Sequence, residues 1–196
     1  MAEPRQTSFT AMRDATRGDY QVIGRHSANF FAGLPDRILS HLRILATDTG
    51  GYAVDRLTHS LQTATRARRD GRDDEYVVCA LIHDIGDTLA TANHSDLAAT
   101  VLEPFVSAKN HWIVKHHGIF QGYYFFHHLG LDRNARDRYR DHEWWRDCAE
   151  FCEKYDQNSF DPEYDTLPLD AFEPAVRALF AAPRKSIHAP EARAAG

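Results

Sequence analysis

Four histidines and two aspartates in this chain are spaced as metal ligands would be. His59 comes first. His83 and Asp84 follow as an adjacent pair inside the apolar run Val77, Val78, Ala80, Leu81, Ile82 and Ile85. His94 lies one loop later, His117 one further helix on, and Asp156 at the end of the stretch AEFCEKYDQ. Imidazole is the commonest metal ligand among side chains that titrate near neutrality. A buried carboxylate without a partner is expensive, and a bound cation removes the expense because its charge dominates the local field. For the pair alone a plainer reading exists, in which Asp84 caps a helix or pairs with an arginine and His83 is a satisfied core histidine. The whole set argues further. One ion needs three or four protein ligands, so six suit two ions sharing a bridging carboxylate. Mixed nitrogen and oxygen ligation points to iron, manganese or a similar borderline ion rather than to a thiolate site.

Helices must position these residues, since the chain contains no convincing strand pair. LPDRILSHLRILATD places Leu34, Ile38, Leu42 and Leu45 at helical spacing, with Pro35 and Asp36 suited to a first turn. Gly50 and Gly51 break the chain. The spacing predicts a helix from about Val54 to Asp70 carrying His59. It predicts another from Asp73 or Asp74 to Ile85, with Asp73 as N-cap and Gly86 as the stop. HSDLAATVLEPF reads as a helix limited by Pro104. Two more are expected over 108–117 and around 123–129, and a longer one from about His142 to Tyr155 or Asp156. PLDAFEPAVRALFAA closes the fold, with Pro174 as a possible bend. Adjacent residues such as His83 and Asp84 point about 100° apart on a helix. They can converge on one ion only at a helix end, which Gly86 supplies. The expectation is an all-α single domain over 1–182, with a metal core at about 55–160 and a small, polar, disordered tail over 183–196.

Composition narrows the function. The 196 residues are 43% hydrophobic and 26% charged, with a formal net charge of −5. This argues against a nucleic-acid partner. No stretch is long and apolar enough for a membrane span. Three cysteines without a secretory leader suggest reduced thiols and a cytoplasmic setting. Cys148 and Cys152, one helical turn apart, read as core thiols. Twelve histidines are many. His111, His116, His117, His127 and His128 crowd into one short stretch, where His116 rivals His117 as the ligand.

The pattern His59, His83-Asp84, Asp156, with HDIG at 83–86, resembles the HD-domain superfamily of metal-dependent phosphohydrolases. His94 and His117 give its two-metal form. HSLQTA at His59 and the acidic stretch after Asp156 are most similar to the mixed-valent di-iron oxygenases, the branch of the inositol and hydroxyphosphonate-cleaving enzymes. That resemblance implies a helical bundle with His59, His83, Asp84 and Asp156 on one iron. Asp84 would bridge to a second iron that also takes His94 and His117, the family context favouring His117 over His116. It implies two irons as Fe(II)/Fe(III), dioxygen as co-substrate, and cleavage of a C–P or C–C bond beside a hydroxyl-bearing carbon. The small polar substrate would be of the amino- or trimethylammonio-hydroxyethylphosphonate kind. A phosphohydrolase on the same ligands is the rival reading.

Two departures bear on the substrate. Asp87 stands where relatives carry His or Lys, and Gln121 where the phosphonate enzymes carry Lys. Both remove positive charge, so Asp87, Gln121 and Tyr52 become the expected substrate contacts, with Asp87 reading a cationic or neutral polar end. For Asp87 the other possibility is a turn cap or an arginine pair. Tyr123, Tyr124, Phe125 and Phe126, with Trp112, Trp144 and Trp145, form either a cage for a quaternary ammonium or ordinary core.

Overall fold

The computed structural model describes residues 6–186, and every regular element among them is helical. The helices are α1 (Arg17–Ala32), α2 (Leu34–Ile44), α3 (Arg56–Arg69), α4 (Asp74–Ile82), α5 (His94–Leu102), α6 (Ala108–Phe125), α7 (Trp145–Phe151) and α8 (Glu173–Leu179). A π turn, Cys152–Asp156, continues α7. Short 3-10 turns fill the connections.

Local chemistry sets the starts. Asp55 caps α3 by accepting from the Thr58 amide at 2.7 Å, and Asp73 caps α4 by accepting from the Tyr76 amide at 2.8 Å. Thr16 and Asp19 form a reciprocal capping box on α1. Pro174 occupies the first turn of α8, where proline fits, so it begins that helix and does not split it.

Helix α4 is buried all round from Tyr76 to Ile82, as a central helix should be. It packs against α3, α6 and α8. Val77, Val78 and Ile82 are β-branched and weak helix formers. Burying side chains such as Leu81 and Ile82 contributes roughly 1.5–3 kcal/mol each, so packing decides the conformation.

The helix expected to carry His83 and Asp84 ends one turn earlier, at Ile82, and places both residues just past its end. Tight turns follow, with the Ile85 amide bonded to Ile82 O at 2.8 Å and the Asp87 amide to Asp84 O at 3.0 Å. Gly86 is the point where the first residue of α5 presses on this turn. A Cβ there would lie 2.4 Å from His94 O and 2.8 Å from His94 Cα. These are backbone atoms and cannot swing aside. Gly86→Ala is therefore expected to destabilise the fold by about 1–3 kcal/mol. It should weaken metal binding at His94 more than at His59, as thermal unfolding and metal titration would report. A stable variant with unaltered metal binding would contradict that packing.

The segments expected as separate helices over 108–117 and 123–129 are one helix to Phe125, followed by a 3-10 turn, Phe126–Leu129. Gly118 and Gly122 do not break it; they allow close approach. A Cβ on Gly118 would meet Ser95 Oγ at 2.8 Å, and one on Gly122 would strike the Phe126 ring at 2.4 Å. Cys79, Cys148 and Cys152 are buried free thiols, as expected. The start of the expected tail is tied down. The Arg184 amide donates to Pro104 O at 2.7 Å, and its guanidinium pairs with Glu75. The rest, 187–196, lies outside the described residues.

Candidate metal centre

Three of the four histidines are aimed by backbone. His59 Nδ1 meets Ser159 O at 2.9 Å, His83 Nδ1 meets Ala80 O at 2.8 Å, and His117 Nδ1 meets Val114 O at 2.7 Å. A carbonyl can only accept, so each Nδ1 carries the hydrogen and each neutral ring turns an Nε2 lone pair inward. Those lone pairs converge. His59 Nε2 lies 3.2 Å from His83 Nε2, an arrangement that two neutral acceptors do not favour by themselves.

Asp84 divides the cluster into two sets. Its Oδ2 lies 3.3 Å from both His59 Nε2 and His83 Nε2. Its Oδ1 lies 3.1 Å from His117 Nε2 and 3.3 Å from His94 Nε2. Asp156 Oδ1 joins the first set, 3.3 Å from His59 Nε2 and 3.7 Å from His83 Nε2. The π turn delivers it: the Gln157 amide reaches back to Cys152 O at 3.0 Å, so one extra residue per turn rotates Asp156 inward.

The donor set fits a cation. Asp156 Oδ2 is buried and has no hydrogen-bond partner, an expensive state for a carboxylate oxygen. Ligand atoms of His59, His83 and Asp156 lie within 4.8 Å of one another, as do those of His83, Asp84 and His117, and those of Asp84, Asp87 and His94.

Without a metal, protons take its place. Burial pushes the His59 pKa down, but the Asp156 and Asp84 carboxylates outweigh it and raise it to about 9. His83 is likewise raised, burial opposing and the same two carboxylates winning. Asp84 and Asp156 are held low against burial by the imidazoles, His83 leading for Asp84 and His59 for Asp156. A raised histidine stabilises the folded state fully below its unfolded value of 6.5 and loses that contribution as pH climbs through about 9. Metal-free protein is thus expected to lose thermal stability from pH 6.5 toward 9, while metal affinity rises over the same window because protons no longer compete. A metal affinity independent of pH there would refute the competition.

Around the ligands lies a cavity of about 470 Å³, within the range of small-molecule sites. Tyr52, Asp87 and Gln121 all line it. Tyr52 stacks on Phe160 with ring centroids 4.9 Å apart, and Phe160 stacks on His59 at 4.4 Å. Gln121 Nε2 donates to Asp156 Oδ1 at 3.0 Å, so it supports a candidate ligand as well as facing the cavity. Asp87 is buried, and Arg56 donates to its Oδ2. Of the two readings the sequence left for Asp87, the structure shows the arginine pair, on a carboxylate that also lines the cavity.

Arg56 also lines the cavity, and sequence reasoning missed it. The available signal was its place three residues before His59, on the same helix face. Of the aromatics singled out, Tyr124 and Phe125 line the cavity. Tyr123 carries the Arg136 guanidinium 3.7 Å from its centroid. Trp112 is sandwiched between His116 and His142 at 4.2 and 4.1 Å. His116 thus belongs to that stack, with Nδ1 bonded to Trp112 O at 2.8 Å, while His117 enters the cluster.

Residues 56–155, the span from Arg56 to Tyr155, match the family described as HD domain. A comparison with curated proteins finds no match. No helix among the described residues is long and apolar enough to cross a membrane.

Proposed function

The chain belongs to the HD domain family, and from that premise we propose that it is a di-iron oxygenase acting on a small hydroxylated substrate by C–P or C–C bond cleavage. The observation that carries the two-metal part is the split of Asp84, whose two oxygens face different imidazole pairs. Two irons bound there would supply a Lewis acid for a substrate hydroxyl and a redox centre for dioxygen.

The chain's own residues do the rest. Asp84 sets the spacing of the two ligand sets. Gln121 holds Asp156 by Oδ1 and leaves Oδ2 to face the site. Phe160 stacks on His59 and Tyr52 on Phe160, and Tyr124 and Phe125 add aromatic wall to the cavity. Arg56 bears on the substrate. Its guanidinium bonds Asp87 and lies 3.6 Å from Asp48, so it offers little free positive charge to a phosphate ester or a phosphonate, which favours a neutral hydroxylated substrate such as a polyol. The phosphohydrolase reading has one observation in its favour, namely that Arg56 lines the cavity at all.

Oxygen uptake by iron-loaded, partly reduced protein with a hydroxyethylphosphonate or a polyol, set against phosphate release from aryl phosphate by manganese-loaded protein, separates the two. Substrate-dependent oxygen uptake with no phosphate-ester cleavage is expected. Phosphate release without oxygen would overturn the oxygenase reading.

A further inference from the structure

One of the four imidazoles is held differently from the others. His59, His83 and His117 are buried and aimed by backbone carbonyls. His94 is 29% exposed, begins α5, and has a carboxylate on its far edge: Asp87 Oδ1 lies 3.4 Å from His94 Nδ1. Its Nε2 faces Asp84 Oδ1 on the opposite side of the ring. One imidazole cannot turn both nitrogens to the same ion. Asp87 Oδ1 therefore lies beside the nitrogen that carries the hydrogen when Nε2 faces the ion, although its carboxylate is also near enough to Asp84 and His94 to be a ligand itself.

We infer that Asp87 is the positioning residue for the second metal, orienting His94 through Nδ1, with Arg56 balancing its charge. The inference rests on the two-metal reading. A neutral carbonyl fixes a ring's orientation and tautomer. A carboxylate adds charge, which makes the imidazole a stronger donor to metal. A lone buried Asp87 carboxylate would be costly, and Arg56 removes that cost while keeping Asp87 Oδ2 engaged. Arg56 is itself held by Asp48, its amide donating to Asp48 O at 3.3 Å and its Nε lying 3.6 Å from Asp48 Oδ2. The exposed ligand is thus held by a chain of side chains, Asp48–Arg56–Asp87–His94, where the buried ones need only their own backbone.

The test is cobalt(II) titration of the full chain by calorimetry, comparing wild type with Asp87→Asn and Asp87→Ala. Asparagine keeps an acceptor oxygen and loses the charge; alanine loses both. The second-site affinity should fall about tenfold in Asp87→Asn and about a hundredfold in Asp87→Ala, in line with the effect of such supporting groups. The first site should stay within about twofold. In zinc-loaded protein, the His94 Nδ1–H proton resonance should shift upfield in Asp87→Asn, a change that a merely structural role would not produce. Unchanged second-site affinity in Asp87→Ala overturns the inference, and so does an equal loss at both sites. A wild-type chain that takes up only one cobalt ion overturns the two-metal reading beneath it.

Discussion

Asp84→Ala is expected to empty both metal sites. Among the described residues, Asp84 is the one whose oxygens lie against both sets, Oδ2 toward His59 and His83 and Oδ1 toward His94 and His117. Removing it takes a ligand oxygen from each set at once, together with the one negative charge the two sets share. The loss should exceed the roughly 10–100-fold typical of a supporting group, at both sites. His94→Ala, by contrast, should empty mainly the second. The metal-free protein should change as well. His59 owes its raised pKa to Asp156 and Asp84, so it should release its proton at lower pH in the variant. Metal content after dialysis, with an NMR titration of the imidazoles, checks both parts. Two ions per chain in Asp84→Ala would refute the bridging role.

The second large effect separates neighbours. His117→Ala should abolish activity and strip the second site, because His117 Nε2 lies 3.1 Å from Asp84 Oδ1 and its ring is buried. His116→Ala should leave metal content near wild type. It removes one face of the Trp112 stack, a contact worth about 0.5–1.5 kcal/mol beyond burial, and should show as a modest drop in thermal stability. Metal analysis and thermal unfolding on both variants decide. Metal lost from His116→Ala and retained in His117→Ala would mean that α6 is rotated by one residue.

Five of the candidate ligands stand out by their chemistry, a His-Asp pair in an apolar run with further imidazoles and a carboxylate at intervals of a helix or a loop, whereas the choice of His117 over His116 comes from the family resemblance. The cap Asp73 was legible from local rules, whereas Pro174 reads as a possible bend, and its place in the first turn of α8 depends on where that helix begins. Other features turned on packing. Two helices are expected over 108–117 and around 123–129, yet Gly118 and Gly122 sit in a continuous α6 where Ser95 and Phe126 press too close for a Cβ. The turn after Ile82 looks like more of α4 by hydrophobicity. Only the approach of α5 to Gly86 shows why the helix stops early. Helix α1 gave no signal in the pattern, since Val22 is its one buried residue. The π turn before Asp156 has no sequence mark beyond a helix ending near the expected place. The sequence leaves an arginine pair open for Asp87 but cannot name the partner, because Arg56 lies 31 residues earlier and only the fold brings them together.

The most direct test of a di-iron centre bridged by Asp84 is electron paramagnetic resonance on anaerobically iron-loaded, partly reduced protein, recorded before and after adding a hydroxylated substrate. The expected result is the signal of a coupled mixed-valent iron pair that changes on substrate addition and is absent from Asp84→Ala. An isolated single-iron signal, or a protein that takes up one iron per chain with all six candidate ligands intact, would contradict it.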